Sequence, residues 1–368
     1  MKKFLVVIAF AVFSFTVAKA SSETTVEISI AGDTYYATDN EKGVGFHGES
    51  HSERKLSSSN IFKDRFGTNN VLLHAKAESH NWRTNVAIAT FGEGIEFEEA
   101  NVGLRLYEGL WVTGGMYALW DVAYTYDRWF TGSSLTDLRG MANYAAWGLE
   151  YGFTECITLG VGVMNSAFQG VNEDHNLSKA IYAKLDFDNL YKFWGLTVSY
   201  VGGNEAHWGH KHENQSLIYL YAHGPIIYRR IADGSFVPRL EAQLAGKFFM
   251  NSFDDDAKDN ISSVAMQALV RYHFNEKFSA GARFSFAGDA DGIIMDVGNT
   301  GIDFGIVCEY KPVPFAYFRL EGGMLSLSNS DNENLAKRFW NGDEFTSSRL
   351  GLALSMGFKL GLFEREIR

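Results

Sequence analysis

Apolar and polar residues alternate along this chain with a period of two, in segment after segment. The clearest run is Arg349-Leu-Gly-Leu-Ala-Leu-Ser-Met-Gly-Phe-Lys-Leu-Gly-Leu362, in which every second residue from Leu350 to Leu362 is apolar and those between are small or charged. A helix would scatter these apolar positions around its axis; a strand puts them all on one face. Val264, Met266, Ala268, Val270, Tyr272 and Phe274 form a second such set, and Phe278, Ala280, Ala282, Phe284 and Phe286 a third. Leu240 to Phe248, Ala100 to Leu106 and Ile157 to Val163 repeat the pattern.

Segment length separates the all-β classes. The segments run about 9 to 13 residues. Strands of globular sheets cluster at about 5 to 6 residues, whereas strands tilted across a bilayer need roughly 9 to 11. A soluble sandwich would also alternate, but it does not need this length. Sixteen strands are predicted, starting near residues 24, 69, 81, 97, 109, 143, 155, 178, 194, 215, 237, 262, 276, 299, 314 and 347. Fourteen remain if the first and tenth, the weakest segments, are not strands.

The connections are of two kinds. Glu108-Gly109, Thr154-Glu155, Asn275-Glu276 and Lys311-Pro-Val-Pro314 read as tight turns. Residues 32–68, 119–142, 166–177, 203–213, 249–261, 288–297 and 327–345 are longer and polar, with one long exception on the tight-turn side at 225–236. Aromatic residues gather near the tight turns, among them Trp147, Tyr151, Phe153, Tyr310 and Phe315. Short turns on one side, long loops on the other and aromatic girdles belong to membrane barrels. In hydrocarbon each unpaired backbone group costs several kcal/mol, so a spanning sheet must close on itself. The predicted fold is therefore all-β: a transmembrane, antiparallel, up-and-down meander barrel.

Composition adds the compartment. Lys2 and Lys3 precede an apolar stretch from Phe4 to Val17, followed by Ala18-Lys19-Ala20. This is the layout of a secretory signal peptide cut after Ala20. Residues 1–20 then direct Sec-type export, and residues 21–368 form a single barrel domain. The net charge of −11 argues against nucleic acid as a partner, because duplex binding needs a basic face. Two cysteines are too few for a disulfide scaffold.

Alternation also assigns faces. Arg105, Lys184, Arg239, Arg271, Arg283, Arg319, Glu241 and Glu321 fall in the inward set as candidate pore-lining residues, with Asp303 and Glu309 among the further inward acids. The basic members from Arg239 onward sit mostly on the last strands and would form one basic wall. Loop 119–142 carries five large aromatics, Trp120, Tyr124, Tyr126, Trp129 and Phe130. Folding it into the lumen would bury them and narrow the passage. His207, His210 and His212 share one loop and are weak candidates for a metal site; a solvated polar loop is the reading preferred, so no metal is assigned. No cofactor is called for. No nucleophile elbow is present, and His74 and His273 lack an evident catalytic partner.

The sixteen-strand meander with a long third loop between strands five and six resembles the general porins, whose third loop folds inward as a constriction. The resemblance covers the whole exported chain as architecture, although the acidic-aromatic-diglycine motif of that loop is absent. It implies that Asp121, Asp127 and Asp137 face the wall of Arg239, Arg271, Arg283 and Arg319. The region from about Glu99 to Asn165 is similar to the putative β-barrel porins of Bacteroidetes-type bacteria. These resemblances imply a porin-like channel for passive diffusion of small hydrophilic solutes or ions. It would sit in the outer membrane of a Gram-negative bacterium, among outer-membrane lipids and lipopolysaccharide, as a homotrimer. A structural or adhesive surface protein with a closed lumen is the competing reading. A lipid-acting enzyme of the outer membrane is a third, for which the sequence supplies no nucleophile–base pair. One departure is the chain end, Phe363-Glu-Arg-Glu-Ile-Arg368, where barrels usually finish on an aromatic residue.

Cys156 alternates inward and Cys308 outward, so the two thiols are predicted not to meet. Non-reducing mass spectrometry should find no Cys156–Cys308 linked peptide, and finding one would overturn the strand registers.

Overall fold

The computed structural model describes residues 24–39, 65–91, 94–117, 144–165, 179–190, 193–204, 213–230, 236–253, 261–289, 299–329, 339–340 and 345–367. The first strands are β1 (Thr24–Asp39), β2 (Arg65–Ser79), β3 (Trp82–Phe91), β4 (Gly94–Tyr107), β5 (Leu110–Tyr117) and β6 (Tyr144–Thr154). The middle of the chain forms β7 (Ile157–Met164), β8 (Ala180–Leu190), β9 (Trp194–Asn204), β10 (Glu213–Arg230), β11 (Phe236–Phe253) and β12 (Ile261–His273). Then come β13 (Phe278–Asp289), β14 (Asn299–Val313), β15 (Ala316–Ser328) and β18 (Ser348–Ile367). Between β15 and β18 a short hairpin, β16 (Phe339–Trp340) and β17 (Phe345–Thr346), stands apart from the main sheet.

Each strand pairs antiparallel with the next, and β18 returns to pair with β1 from Thr24–Ile367 to Asp39–Gly351. The result is a closed barrel of sixteen strands with no crossover. The expected meander and count hold, and the two weakest segments are full strands of 16 and 18 residues.

Residue type follows the face. On β18, Leu350, Leu352, Leu354 and Met356 are exposed, while Arg349, Ala353 and Ser355 between them are buried. Phe284, Phe304, Ile306, Leu320, Leu244 and Met266 continue the exposed apolar band around the outside. A soluble monomer rarely leaves so large an apolar surface in water; lipid is the solvent that fits it. Phe153, Phe193, Phe236, Phe274, Phe278, Tyr310 and Phe315 ring the tight-turn rim, all exposed. Phe278 stacks on Tyr310 at 4.6 Å, and Tyr272 meets Phe274 edge-on at 5.0 Å. Aromatic girdles of this kind sit at the headgroup level.

Inside, large side chains lie over glycines of neighbouring strands. A Cβ on Gly148 would come within 2.1 Å of the Tyr182 hydroxyl, and one on Gly162 within 2.6 Å of the same ring. These positions are glycine because a ring already fills the space. Tyr182 joins Ala146, Met164, Ala180, Val201, Leu217, Tyr219 and Phe249 in an apolar cluster on β6–β11. At the Glu108-Gly109 turn, Gly109 has φ 76°, which glycine adopts without a steric penalty.

Several boundaries differ from the sequence reading: the connection expected at 32–68 is strand at both ends, since β1 runs to Asp39 and β2 starts at Arg65, and the one expected at 249–261 is strand as far as Phe253. The supposed long connection at 225–236 is mostly strand, since β10 runs to Arg230 and β11 starts at Phe236. Register shifts on both sides of Ile227, next to Pro225, break the alternation there and conceal the strand. Likewise β14 continues through Pro312 to Val313, with a register shift after Tyr310, so the turn is Pro314-Phe315. The third turn is Glu155-Cys156, one residue later than expected. Cys156 therefore sits in a turn and not on an inward strand face; Cys308 is exposed, and both are free thiols.

Placing a cation on the outer band should be costly. Leu354→Arg is expected to lower stability by about 2–4 kcal/mol, the range for arginine near a bilayer midplane. Guanidinium unfolding in phospholipid vesicles measures it, and a loss below about 0.5 kcal/mol would show that Leu354 does not face lipid.

Candidate functional site: the inner wall

The inner face of β12–β15 and β18 is charged. The register sets Glu309 of β14 opposite Ser279 of β13 on one side and Arg319 of β15 on the other. Arg271 of β12 pairs across the ladder with Gly281, and Arg283 of β13 with Gly305. The two Glu309 carboxylate oxygens then serve three cations. Oε2 accepts from Arg319 Nε at 2.5 Å, while Oε1 accepts from Arg271 Nη2 and lies 3.4 Å from Lys311 Nζ. Arg271 is also held by Ser279, whose Oγ accepts from Nε and Nη2 at 3.0 and 2.9 Å. The Arg319 guanidinium sits 3.8 Å from the Tyr317 ring centre, and that ring lies over Gly357. Arg283 forms a second pair, its Nε 3.0 Å from Asp303 Oδ2.

Burial explains the pairing. Arg319 is 1% exposed, Glu321 2% and Glu309 4%. A charge so far from water must be paired and hydrogen-bonded, because its desolvation costs several kcal/mol. The wall expected to be basic is thus a lattice of alternating signs. The arginines and acids were assignable to one face by parity, but their pairing joins residues 271, 279, 309 and 319 across four strands and needs the register.

The charged pairs of the opposite wall are less buried. Arg83 pairs with Glu150 and rests 4.8 Å from the Trp111 ring centre. Lys184 lies 3.1 Å from Asp186, whose other oxygen accepts from the Thr197 hydroxyl at 2.7 Å. The contribution of Arg83, Ser279, Tyr317 and Lys311 has no signal in the alternation pattern beyond their parity.

The remaining candidates fall as follows. Arg271, Arg283, Arg319 and Glu321 are buried on the inward register; Lys184 and Glu241 are half-buried there. Glu241 lies 2.9 Å from His273 Nε2. Arg105 is at the tight-turn rim, where it donates to the His80 carbonyl at 3.3 Å. Arg239 is exposed at the same rim, donating through Nε to the Tyr272 hydroxyl at 2.6 Å. His74 bonds to Asn85. Asp121, Asp127 and Asp137, with the rest of loop 119–142, lie outside the described residues, as do His207, His210 and His212. Among the described residues no three His, Cys, Asp or Glu side chains group as metal ligands.

A closed sixteen-strand barrel, apolar outside and charged within, defines a transmembrane β-barrel of porin type. Residues 25–360 match the family described as "Putative beta-barrel porin-2, OmpL-like", and the chain belongs to that family. Membership makes it a porin-like β-barrel protein of the Gram-negative outer membrane. Among solved structures it is similar to an anion-selective porin from Comamonas acidovorans, with TM-score 0.62, 10% identity and coverage of 92% of this chain and 100% of that one. It is similar also to OprB of Pseudomonas putida, with TM-score 0.58, 10% identity and coverage of 92% and 94%. OmpT of Vibrio cholerae, an outer-membrane protein in trimer form, gives TM-score 0.57, 10% identity and coverage of 92% and 100%. At such identities these likenesses show the fold. No curated protein matches the chain.

Glu309→Gln should destabilise the barrel by about 3–5 kcal/mol, because Arg271 and Arg319 lose a buried counter-charge. Denaturant unfolding in micelles measures this. Adding Arg319→Met should recover part of the loss; an unchanged midpoint in Glu309→Gln would contradict the lattice.

Proposed function

We propose that the barrel is a passive channel for small hydrophilic solutes or ions, with loop 119–142 as its constriction. The observation that carries this reading is the closed barrel with a hydrophilic, charge-bearing inner face, in a chain that belongs to a porin family. Arg105, Lys184, Arg239, Arg271, Arg283, Arg319, Glu241 and Glu321 are the pore-lining residues of this proposal. The buried lattice holds this wall in place, and the half-buried charged residues of the inner face, Lys184 and Glu241 among them, are the groups a passing solute would meet. The composition of loop 119–142 supports an inward position, because its five aromatics gain from leaving water. Asp121, Asp127 and Asp137 would then approach the face where three cations surround Glu309.

In this reading residues 1–20 direct Sec-type export and residues 21–368 are one barrel domain. The trimer form of the Vibrio cholerae OmpT structure supports a homotrimer, set among outer-membrane lipids and lipopolysaccharide.

Reconstitution into planar bilayers should give discrete conductance steps, and deleting residues 122–139 should enlarge them. Neutralising a pair together, Arg283→Gln with Asp303→Asn, should change step size without leaving a lone charge. Folded protein that shows no steps in independent preparations would contradict the channel and leave the closed-lumen surface protein standing.

A further inference from the structure

We infer that the tight-turn mouth of the barrel holds a binding site for a small solute bearing an oxyanion, a carboxylate or a phosphate group. A cavity of about 430 Å³ opens there, between the start of β11 and the turn joining β12 to β13. That is within the range of sites for small molecules, roughly 300–1,000 Å³.

Its lining has a strong sign imbalance. Arg229, Arg239, Arg271, Lys277 and Lys311 line it, against Glu276 and Glu309. Glu309 is already shared among Arg271, Arg319 and Lys311, so it cannot neutralise the rest. Arg229 and Lys277 are exposed and have no ion-pair partner among the described residues. A concave wall with an excess of one sign concentrates counter-ions.

The cationic groups are also pre-positioned. The Arg239 guanidinium lies 5.3 Å from the Tyr272 ring centre and spends its Nε on the Tyr272 hydroxyl. Among the described residues its two terminal amino groups make no hydrogen bond, and this planar fork matches a carboxylate or phosphate edge. Arg271 is fixed by Ser279 and Glu309. Val237, Pro238 and Phe278 complete the lining with apolar surface, which suits a short carbon frame attached to the oxyanion.

The inference deepens the channel reading and rests on it for the route by which a solute reaches the site from the lumen. The test uses the full chain in nanodiscs of zwitterionic lipid, titrated with inorganic phosphate and followed by calorimetry and phosphorus NMR. Saturable binding is expected. Arg239→Gln combined with Lys277→Gln should weaken it about tenfold or more, because two cationic donors to the oxyanion are removed. Lys76→Gln, on distant β2, should leave it unchanged. No saturable binding, equal affinity in the double variant, or retention of an anionic phospholipid that phosphate does not displace would overturn the site. Phosphate binding by a barrel that shows no conductance would support the site while removing the channel; conductance without phosphate binding would remove the site alone.

Discussion

Closure of the sheet is the constraint on which everything else in this molecule depends. Strand β1 is bonded on both sides, to β2 over Thr24–Ser79 through Ala37–Arg65 and to β18 over its whole length. Without the β1–β18 seam two long rows of N–H and C=O groups would face hydrocarbon, each at a cost of several kcal/mol. Once the seam forms, the period of two divides the side chains between lipid and interior without exception for charge. Leu354 goes outward and Ser355 inward because they are neighbours in a closed sheet.

That division brings charged residues together inside, where unpaired charges are not tolerated. The structure meets this by register. Glu309 stands between strands that supply Arg271 and Arg319, and Asp303 stands next to the strand that supplies Arg283. Glu309 serves three cations on this wall, and toward the tight-turn mouth Arg229, Arg239 and Lys277 bring further positive charge.

The strands were legible because alternation over nine or more residues has no helical reading and few soluble ones. The predicted starts at 194 and 299 coincide with Trp194 and Asn299, and most others fall within a few residues. Legibility failed where backbone chemistry breaks the period. Pro225 cannot donate to its neighbour, the register shifts, and Ile226 and Ile227 are both exposed, so a strand resembles a loop. Pro312 hides the end of β14 in the same way. For the site, parity placed Arg271, Arg283, Arg319 and Glu321 on one face, yet it could not show which acid meets which base. A basic wall and a paired lattice have the same alternation pattern; only the cross-strand offsets separate them. Loop 119–142 has no period at all, so its aromatic and acidic content suggests a place for it without determining one.

The central claim is that the odd-numbered face of β11–β15 turns inward and that its half-buried positions, between the buried charges, meet a water-filled lumen. Cysteine accessibility in membranes tests it most directly, in a chain with Cys156 and Cys308 replaced by serine. Single cysteines at Gln243 and Gln267, both half-buried on that face, should react with a water-soluble, membrane-impermeant maleimide, and one at Leu354 should not. Silence at both interior positions together with reaction at Leu354 would mean that the faces are reversed or the lumen is dry, and the account would fail.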